Sequence, residues 1–404
     1  MTTKLLSKPG IRLSFPFWPT ALIGLVVVRA ILLLAIKPGS YLSSYGAISY
    51  LILLVLATCL AIRNAIRSSL GRRAFWVFLA VAYSLWTLDQ WIFLYYEYGP
   101  HTEVPNNSIA DPVLFLHIVW LLAAVATLPS RIDSGHTMYR ANLNALLLLF
   151  FWGFLYVYIV FPYQYFGSSA STYALRFDTL YLLENLALIL ATGILSLRVQ
   201  APWKVIYRHL LGASVLYALS SAVANVAIDS GGYSSGKLYG LGLTASVCWF
   251  VWIPLKAWDL DGHEARTVRF DANIELRLSA WVMLGVVLIF VPIAWEVFQR
   301  DKTADMRVFR LLVAAAAIVC LAGIAFIKEY LAKDELISQL GVVNNRLQLA
   351  MESGKGVGWE LEIKTGRLSW FGDLETISGI RPDKFAGQSE DFYHYVHPED
   401  RRLV

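Results

Sequence analysis

Four ionisable side chains lie inside long apolar stretches of the sequence: Arg29, Asp89, His117 and Glu184. Charged groups are unfavourable inside a bilayer, so such residues mark ligand, proton or ion sites by default. If each stretch is a helix rising ~1.5 Å per residue, the four side chains lie about 16–22 Å from the same face of the membrane. This pattern favours one polar pocket that senses a ligand or a proton. The alternative is a set of polar contacts between helices that only fixes their packing.

A buried arginine needs a carboxylate, so Asp89 or Glu184 is expected to pair with Arg29. No other group of residues has the spacing of a catalytic or metal site. The three cysteines are far apart, and His394 and His397 have no third ligand nearby. The sequence therefore predicts no catalytic residue, no metal and no cofactor.

The composition defines the class of protein. The chain has 404 residues, of which 57% are hydrophobic and 16% are charged, against ~25% charged in soluble domains. A soluble fold of this length could not bury so much apolar surface. A soluble enzyme, a disordered chain and a disulfide scaffold are excluded. The net charge of +5 is scattered, which excludes a nucleic-acid surface. The lipid bilayer is the predicted partner.

Ten stretches have about the 20 apolar residues that a membrane span requires. They predict an all-α polytopic membrane helix bundle at 17–328, after a cytoplasmic lead-in at 1–16. The ten stretches are 17–36, 45–62, 74–96, 109–128, 141–162, 177–197, 205–228, 238–257, 279–297 and 311–328.

Lysine and arginine residues predict the orientation. With the N-terminus inside, the inner segments hold 16 of them and the outer segments hold 7. This bias predicts a multi-pass protein of the inner (plasma) membrane with both termini in the cytoplasm.

One stretch of this bundle carries a resemblance. TLDQWIFLYYEYGPHTEVPNNSIADPVLFLHIVWLLAAVATLP, residues 87–129, resembles polytopic bacterial sensor modules. It has an acidic residue in one helix, a polar outer loop, and an Ala-Asp step that opens the next helix. The resemblance implies fusion to signalling domains and covers about two spans.

A polar helix follows the last span at 329–350. Its apolar residues are spaced 4, 3, 4 and 3 apart and form a heptad seam of Leu336, Leu340, Val343 and Leu347 that ends at Ala350. A helix that leaves a membrane span directly can transmit a tilt or a rotation. The seam predicts a homodimer through this linker helix; the alternative is an amphipathic helix that packs on the next domain.

Residues 351–404 change to a strand pattern. VGWELEI and GRLSWFG alternate polar and apolar residues around the turn KTG, which predicts a β-hairpin. The string GVGWELEIKTGRLSW…ISGIRPDKF…FYHYVHPEDR resembles the first half of a PAS domain, an α+β fold. The resemblance rests on Gly358-Trp359-Glu360, Thr365-Gly366, Trp370, Phe385 and His397-Pro398-Glu399-Asp400-Arg401. The resemblance implies that the His-Pro-Glu-Asp string is structural.

A PAS fold has five strands, and only the first two are expected here. The PAS domain is therefore expected to be incomplete and the chain to be a piece of a longer protein, whose output domain would be a histidine kinase or, second, a diguanylate cyclase. The function predicted is the membrane-embedded sensory part of a signal-transduction protein that responds to an unknown small-molecule or membrane signal. The alternatives are a multi-span transporter with a regulatory PAS-like tail and a polytopic membrane enzyme. Neither an inverted repeat nor a histidine or aspartate cluster supports these alternatives.

Overall fold

A computed structural model describes residues 17–36, 40–99, 108–127, 135–165, 170–199, 201–229, 239–260, 304–353, 358–363 and 365–371. It also describes positions 295, 298–299, 375, 379, 381, 387–388 and 394–402. The helices and strands of these residues are, in chain order, α1 (Phe17–Ala35), α2 (Ser40–Arg67), α3 (Leu70–Tyr98), α4 (Ala110–Ala126), α5 (Gly135–Ile159), α6 (Phe161–Tyr165), α7 (Ala170–Arg198), α8 (Trp203–Asp229), α9 (Tyr239–Leu260), α10 (Ala304–Ser353), β1 (Gly358–Glu362) and β2 (Arg367–Phe371).

Eight of the helices are long and apolar enough to cross a membrane: α1, α2, α3, α5, α7, α8, α9 and the first part of α10. This number confirms the prediction of a polytopic, mostly helical membrane protein. The prediction of ten spans is not reached among the described residues. The predicted span 109–128 forms α4, a shorter apolar helix of 17 residues, and the predicted span 279–297 lies outside the described residues.

Some helices extend well beyond the apolar stretches that predicted them. The second predicted span, 45–62, is one of the two shortest apolar runs, yet α2 has 28 residues and ends at Arg67. Backbone hydrogen bonds continue the helix through polar residues at both ends of the run, whereas hydropathy registers only the apolar centre. The same reason explains the length of α7, which has 29 residues.

Chain packing divides the protein into two compact units, residues 1–325 and 326–404. In the first unit, six helices form a closed ring in the order α2, α3, α4, α7, α8, α9 and back to α2. Helix α1 flanks the ring at α9 and α2, and α5 flanks it at α3, α4 and α7. Ring neighbours therefore include pairs, such as α4 with α7, that are distant in sequence.

Side chains of two neighbouring helices donate hydrogen bonds to the backbone of α9 around a proline. Pro254 has no N–H, so the carbonyl of Phe250 loses its helical hydrogen-bond donor. The buried hydroxyl of Tyr83 on α3 donates to this carbonyl at 3.3 Å. The amide of Asn64 on α2 donates to the carbonyl of Pro254 itself at 2.9 Å. Side chains of α2 and α3 thus compensate for the interrupted helix and hold α9 in place.

The second unit contains an antiparallel β-hairpin. Trp359 lies opposite Trp370, and Leu361 lies opposite Leu368. These four residues share one face of the two-stranded sheet, as the sequence alternation predicted. The turn is closed by the N–H of Gly366, which donates to the carbonyl of Glu362 at 2.8 Å. The φ of Gly366 is 70°, a conformation that favours glycine.

Candidate functional site

Aromatic side chains from five helices meet in the interior of the helix ring, around Trp86 of α3. The indole of Trp86 stacks on the imidazole of His117 from α4, with 4.8 Å between the ring centroids. Tyr217 of α8 approaches the indole edge-on at 4.7 Å. Phe250 of α9 and Tyr50 of α2 follow at 5.5 Å and 6.1 Å. Trp86 is buried, so these contacts lie in the interior of the bundle.

Helix α7 supplies the sixth ring through Tyr181. Its hydroxyl forms a buried hydrogen bond with the hydroxyl of Tyr217, and its ring centroid lies 6.5 Å from that of His117. All six helices of the ring therefore contribute to one arrangement, which we name the central cluster. Its members are Tyr50, Trp86, His117, Tyr181, Tyr217 and Phe250.

His117 is held in one orientation within this cluster. Its Nδ1 forms a hydrogen bond with the backbone carbonyl of Leu114. A carbonyl can only accept, so Nδ1 carries the proton and Nε2 is left as an acceptor. Nε2 is buried and has no hydrogen-bond partner among the described residues. His117 is one of the candidates predicted from the sequence, and its imidazole lies against Trp86.

Glu184 lies beside the cluster with its carboxylate unsatisfied. It follows Tyr181 by three residues on α7, which places both side chains on one face of the helix. The residue is fully buried. Within the described part of the chain, neither carboxylate oxygen has a hydrogen-bond partner. The carboxylate lies within electrostatic range of the hydroxyls of Tyr181 and Tyr217. A buried, unsatisfied polar group is rare and requires an explanation.

Asp89 approaches the same pair of hydroxyls from α3. It follows Trp86 by three residues and is half-buried. Its carboxylate interacts electrostatically with both Tyr181 and Tyr217. Three of the four residues predicted as sensing candidates, Asp89, His117 and Glu184, are thus brought together around the central cluster.

Further acidic residues extend from Asp89 toward the end of the bundle where α3 ends and α4 begins. Asp111 of α4 interacts electrostatically with Asp89 and with Asp178 of α7. Asp111 also accepts a hydrogen bond from Tyr173, and Asp178 accepts one from Asn225 at 3.1 Å. We name Asp178, Asp111 and Asp89 the acidic row. The acidic row could not be predicted from the sequence, because no spacing signal connects three separate helices.

Arg29 lies in a different place. It is buried on α1, which flanks the ring, and its guanidinium donates to the hydroxyl of Thr244 on α9. It also donates to the carbonyl of Gly46 on α2 at 3.5 Å. The sequence predicted Asp89 or Glu184 as the partner of Arg29, and the oxygens of Glu184 accept no hydrogen bond from any described residue. Depth in the membrane was predicted from the sequence, but the position around the bundle axis was not.

A second buried arginine was missed by the sequence analysis. Arg310, near the start of α10, is fully buried and donates to the backbone carbonyl of Tyr158 on α5. Its guanidinium lies 5.1 Å from the ring centroid of Tyr158 and 5.6 Å from that of Tyr163 on α6. Cation–π contacts of this kind stabilise a buried guanidinium. In the sequence, Arg310 was only one of the seven basic residues assigned to the outer segments.

The His-Pro-Glu-Asp string of the second unit closes a turn. The carbonyl of His397 accepts hydrogen bonds from the N–H groups of Asp400 and Arg401 at 2.9 and 3.2 Å. The side chain of Arg401 donates to the carbonyl of Val396 at 3.0 Å. Asp400–Arg402 form a 3-10 turn. These hydrogen bonds stabilise the local backbone.

The fold and the site together define a polytopic α-helical membrane protein with a polar and aromatic cluster inside its helix ring. Comparisons with protein-family models, with curated proteins and with solved structures find no match for this chain. The resemblances to a sensor module and to a PAS domain therefore rest on the residues and on the hairpin alone.

Proposed function

We propose that this chain is the membrane-embedded sensory part of a signal-transduction protein. In this proposal α10 relays a signal from the helix bundle to a PAS domain and to a downstream output domain, a histidine kinase ahead of a diguanylate cyclase. One observation carries the proposal. A single helix contains a candidate membrane span, Ala304–Leu331, and continues as a polar segment with an apolar seam.

The seam is uncovered in a single copy of the chain. The side chains of Leu340, Val343 and Leu347 are 60%, 62% and 58% exposed, while the side chain of Leu336 lies outside the described residues. Exposed apolar residues at heptad spacing are stabilised when a second helix covers them. A second copy of the chain, held parallel in the same membrane, presents the identical seam. The proposed dimer is therefore parallel and symmetric about the linker helix.

The hairpin supports a PAS domain after the linker. The paired residues Trp359 and Trp370, and the turn at Thr365-Gly366, are those on which the resemblance rests. Within β2, the N–H of Leu368 donates to the carbonyl of Gly387, a residue that follows β2 in the chain, at 2.8 Å. A backbone segment thus approaches the second strand from a later part of the chain, as a larger sheet or a packed domain requires.

The central cluster supports a sensory role for the bundle. Ionisable groups inside a membrane bundle are expensive and are retained where they serve a function. Here they converge from three helices on one pair of tyrosines instead of lying scattered at separate helix contacts. A ligand that binds among six helices can change their packing, and such a change can propagate along a helix that leaves the bundle.

The proposed location is the inner membrane, with both termini in the cytoplasm, and the basic residues of the sequence support it. Reporter fusions at Ser134 and Asn107 test this topology. Alkaline phosphatase should be inactive when fused at Ser134 and active at Asn107. The reverse result would contradict the proposed orientation.

Cysteine crosslinking in native membranes tests the seam. The protein has three cysteines, which are replaced by serine to give a background without thiols. Leu340→Cys should then form a disulfide-linked dimer under mild oxidation. Asn345→Cys lies on the opposite side of the same helix and is the matched control, which should remain monomeric. Equal crosslinking at both positions, or at neither, would contradict the dimer.

A transporter remains the second candidate, because the acidic row and the carboxylate of Glu184 also fit a path for a cation across the bundle. The two candidates differ in what they require of the linker helix. A sensor depends on the rotational phase of that helix, whereas a transporter with a passive tail does not.

A further inference from the structure

Glu184 of α7 is a buried acidic residue whose side chain has no hydrogen-bond donor. Its exposed fraction is 0%. Both carboxyl oxygens are buried and have no hydrogen-bond partner in the part of the chain that the structure describes. Glu184 is the middle residue of α7, so it lies ~21 Å along the helix axis from either end of that helix. Neither the protein around it nor the water at the ends of the bundle solvates this group.

These surroundings decide between the two forms of the side chain. An ionised Glu184 would be a negative charge in an apolar interior without a donor or a counter-ion, which is very unfavourable. A neutral carboxyl group in the same place leaves only uncharged polar atoms unpaired, and this is far less unfavourable. Ionisable groups in such surroundings take the neutral form. Burial therefore favours a proton on Glu184.

The groups that face Glu184 do not reverse this preference. Helix α7 packs on α4, α5, α6 and α8. The groups that interact electrostatically with Glu184 are the hydroxyls of Tyr181 on α7 and of Tyr217 on α8, and these hydroxyls form a hydrogen bond with each other. His117 of α4 directs its Nδ1 proton to a backbone carbonyl of its own helix. Asp89 of α3 acts on the same two hydroxyls, and a negative charge there would oppose a second one on Glu184.

Two other ways to stabilise an ionised Glu184 do not occur among the described residues. Arg29, the counter-ion that the sequence offered, donates to Thr244 and to Gly46. A metal ion requires several ligands, and no group of three His, Cys, Asp or Glu residues within the described ranges could hold one. A single carboxyl group binds a proton without further ligands and without a cavity. The proton is therefore the cation that fits this site.

We infer that Glu184 is a proton-binding site, which holds its proton while the bundle is closely packed and releases it to water when the packing around it opens. The ionised form needs donors or water, and the packed arrangement supplies neither. Proton binding and packing are thus coupled, so a rising pH favours the opened arrangement and a falling pH favours the packed one. This inference rests on the proposed function in one respect, since it names the proton as the signal that the bundle would sense.

Infrared spectroscopy of the full chain in lipid nanodiscs detects the proton directly. A neutral carboxyl group has a C=O stretching band that is separate from the bands of ionised carboxylates and of backbone amides. The unaltered protein should show this band at neutral pH, and Glu184→Gln should remove a component of it. Glu97→Gln is the matched control, because Glu97 accepts a hydrogen bond from Ser43 at 3.1 Å. This variant should retain the component.

Isotope labelling covers the case in which Glu184→Gln fails to fold, because it needs no substitution. Glutamate with a heavy carbon isotope in its side-chain carboxyl group should shift the component, whereas aspartate labelled in the same way should leave it in place. In heavy water the component should shift slowly, since Glu184 is not exposed to solvent. An immediate shift would contradict a proton that is released only when the packing opens.

Near-ultraviolet circular dichroism tests the coupling to packing, because it reports the surroundings of aromatic rings such as those of Tyr181 and Tyr217. As the pH is raised, the loss of the infrared component and the change in the aromatic signal should share one midpoint. Glu184→Gln has no proton to release at this position, so it should lack this change over the same pH range. Ionisation of exposed tyrosines occurs in both proteins and cancels in the comparison.

The inference is overturned if the unaltered protein lacks the neutral carboxyl band, if labelled glutamate leaves the band unshifted, or if Glu184 ionises without a change in the aromatic signal. These outcomes are independent of the linker dimer. A neutral Glu184 without a crosslinked dimer would contradict the proposed sensor and support the proton site. A crosslinked dimer without the neutral band would contradict the proton site alone.

Discussion

Arg29 provides a direct test of how the buried charges are arranged. Its guanidinium donates to the hydroxyl of Thr244 on α9, whereas the sequence favoured a carboxylate partner such as Glu184. The structure therefore predicts that Arg29 and Thr244 are energetically coupled and that Arg29 and Glu184 are not. Two double-mutant cycles separate these possibilities, with Arg29→Met as the shared substitution.

The magnitude follows from the type of contact. Hydrogen bonds between helices in membranes contribute about 0.6 kcal/mol on average and up to ~1.7 kcal/mol, and those to charged groups reach about 1.5–3 kcal/mol. We expect a coupling free energy of about 1–2 kcal/mol between Arg29→Met and Thr244→Val, since both groups are buried. The single substitution Arg29→Met is less informative, because it also removes the desolvation penalty of a buried charge.

The assay is reversible unfolding in mixed micelles with increasing SDS, followed by far-ultraviolet circular dichroism. Thr244→Val is nearly isosteric, so it removes the acceptor without opening a cavity. The Arg29→Met and Glu184→Gln pair is the control cycle, and its free energies of unfolding should add within about 0.5 kcal/mol. Additivity in the first cycle together with coupling in the second would refute the arrangement and restore the carboxylate partner.

Two packing predictions concern α9. Tyr83→Phe removes the donor to the carbonyl of Phe250, which lacks a helical partner because of Pro254, and it should destabilise the bundle by about 1 kcal/mol. In a Pro254→Ala background the helical N–H is restored, so the same substitution should destabilise the bundle measurably less. Equal losses in both backgrounds would contradict this explanation. Gly212→Ala would place its Cβ against the indole of Trp249, so the indole must shift. A loss of about 1–3 kcal/mol is expected from such overpacking, with a change in tryptophan fluorescence. An unchanged unfolding midpoint would show that α8 and α9 are not in close contact.

Much of the helical architecture follows from the sequence. A membrane span requires satisfied backbone groups and a continuous apolar stretch, and both requirements are local. For this reason the apolar stretch at 177–197 predicted α7, although the helix extends further at both ends. The order of helices around the ring could not be predicted in this way. The contact of α4 with α7 depends on side-chain packing between segments that are distant in sequence.

The arrangement of the candidate site could likewise be predicted only in part, because it depends on packing between distant segments. Depth along each helix predicted that Asp89, His117 and Glu184 lie at one level, and they converge on the central cluster. Arg29 was predicted at the same depth, yet it lies on a flanking helix. A predicted depth contains no information about the angle around the bundle. A signal for the aromatic cluster was present in the spacing of Trp86 from Asp89 and of Tyr181 from Glu184. Residues three apart share a helix face.

The hairpin was predicted from its alternation and its turn, and the pairing of Trp359 with Trp370 confirms the register that the alternation implies. Gly366 allows the turn because its φ is 70°. The hairpin is local, so the sequence contains the information needed. The PAS domain as a whole remains a proposal, since its completion depends on contacts between distant segments.

The measurement that tests the proposed signalling role most directly is output activity in the full-length protein across insertions of one to seven residues after Gln339. One inserted residue rotates the downstream helix by about 100°, whereas seven residues nearly restore its phase, since a helix has ~3.6 residues per turn. The sensor proposal predicts an output that is changed or locked by one residue and regained with seven. A flat profile across the series would contradict the relay through α10 and favour the transporter.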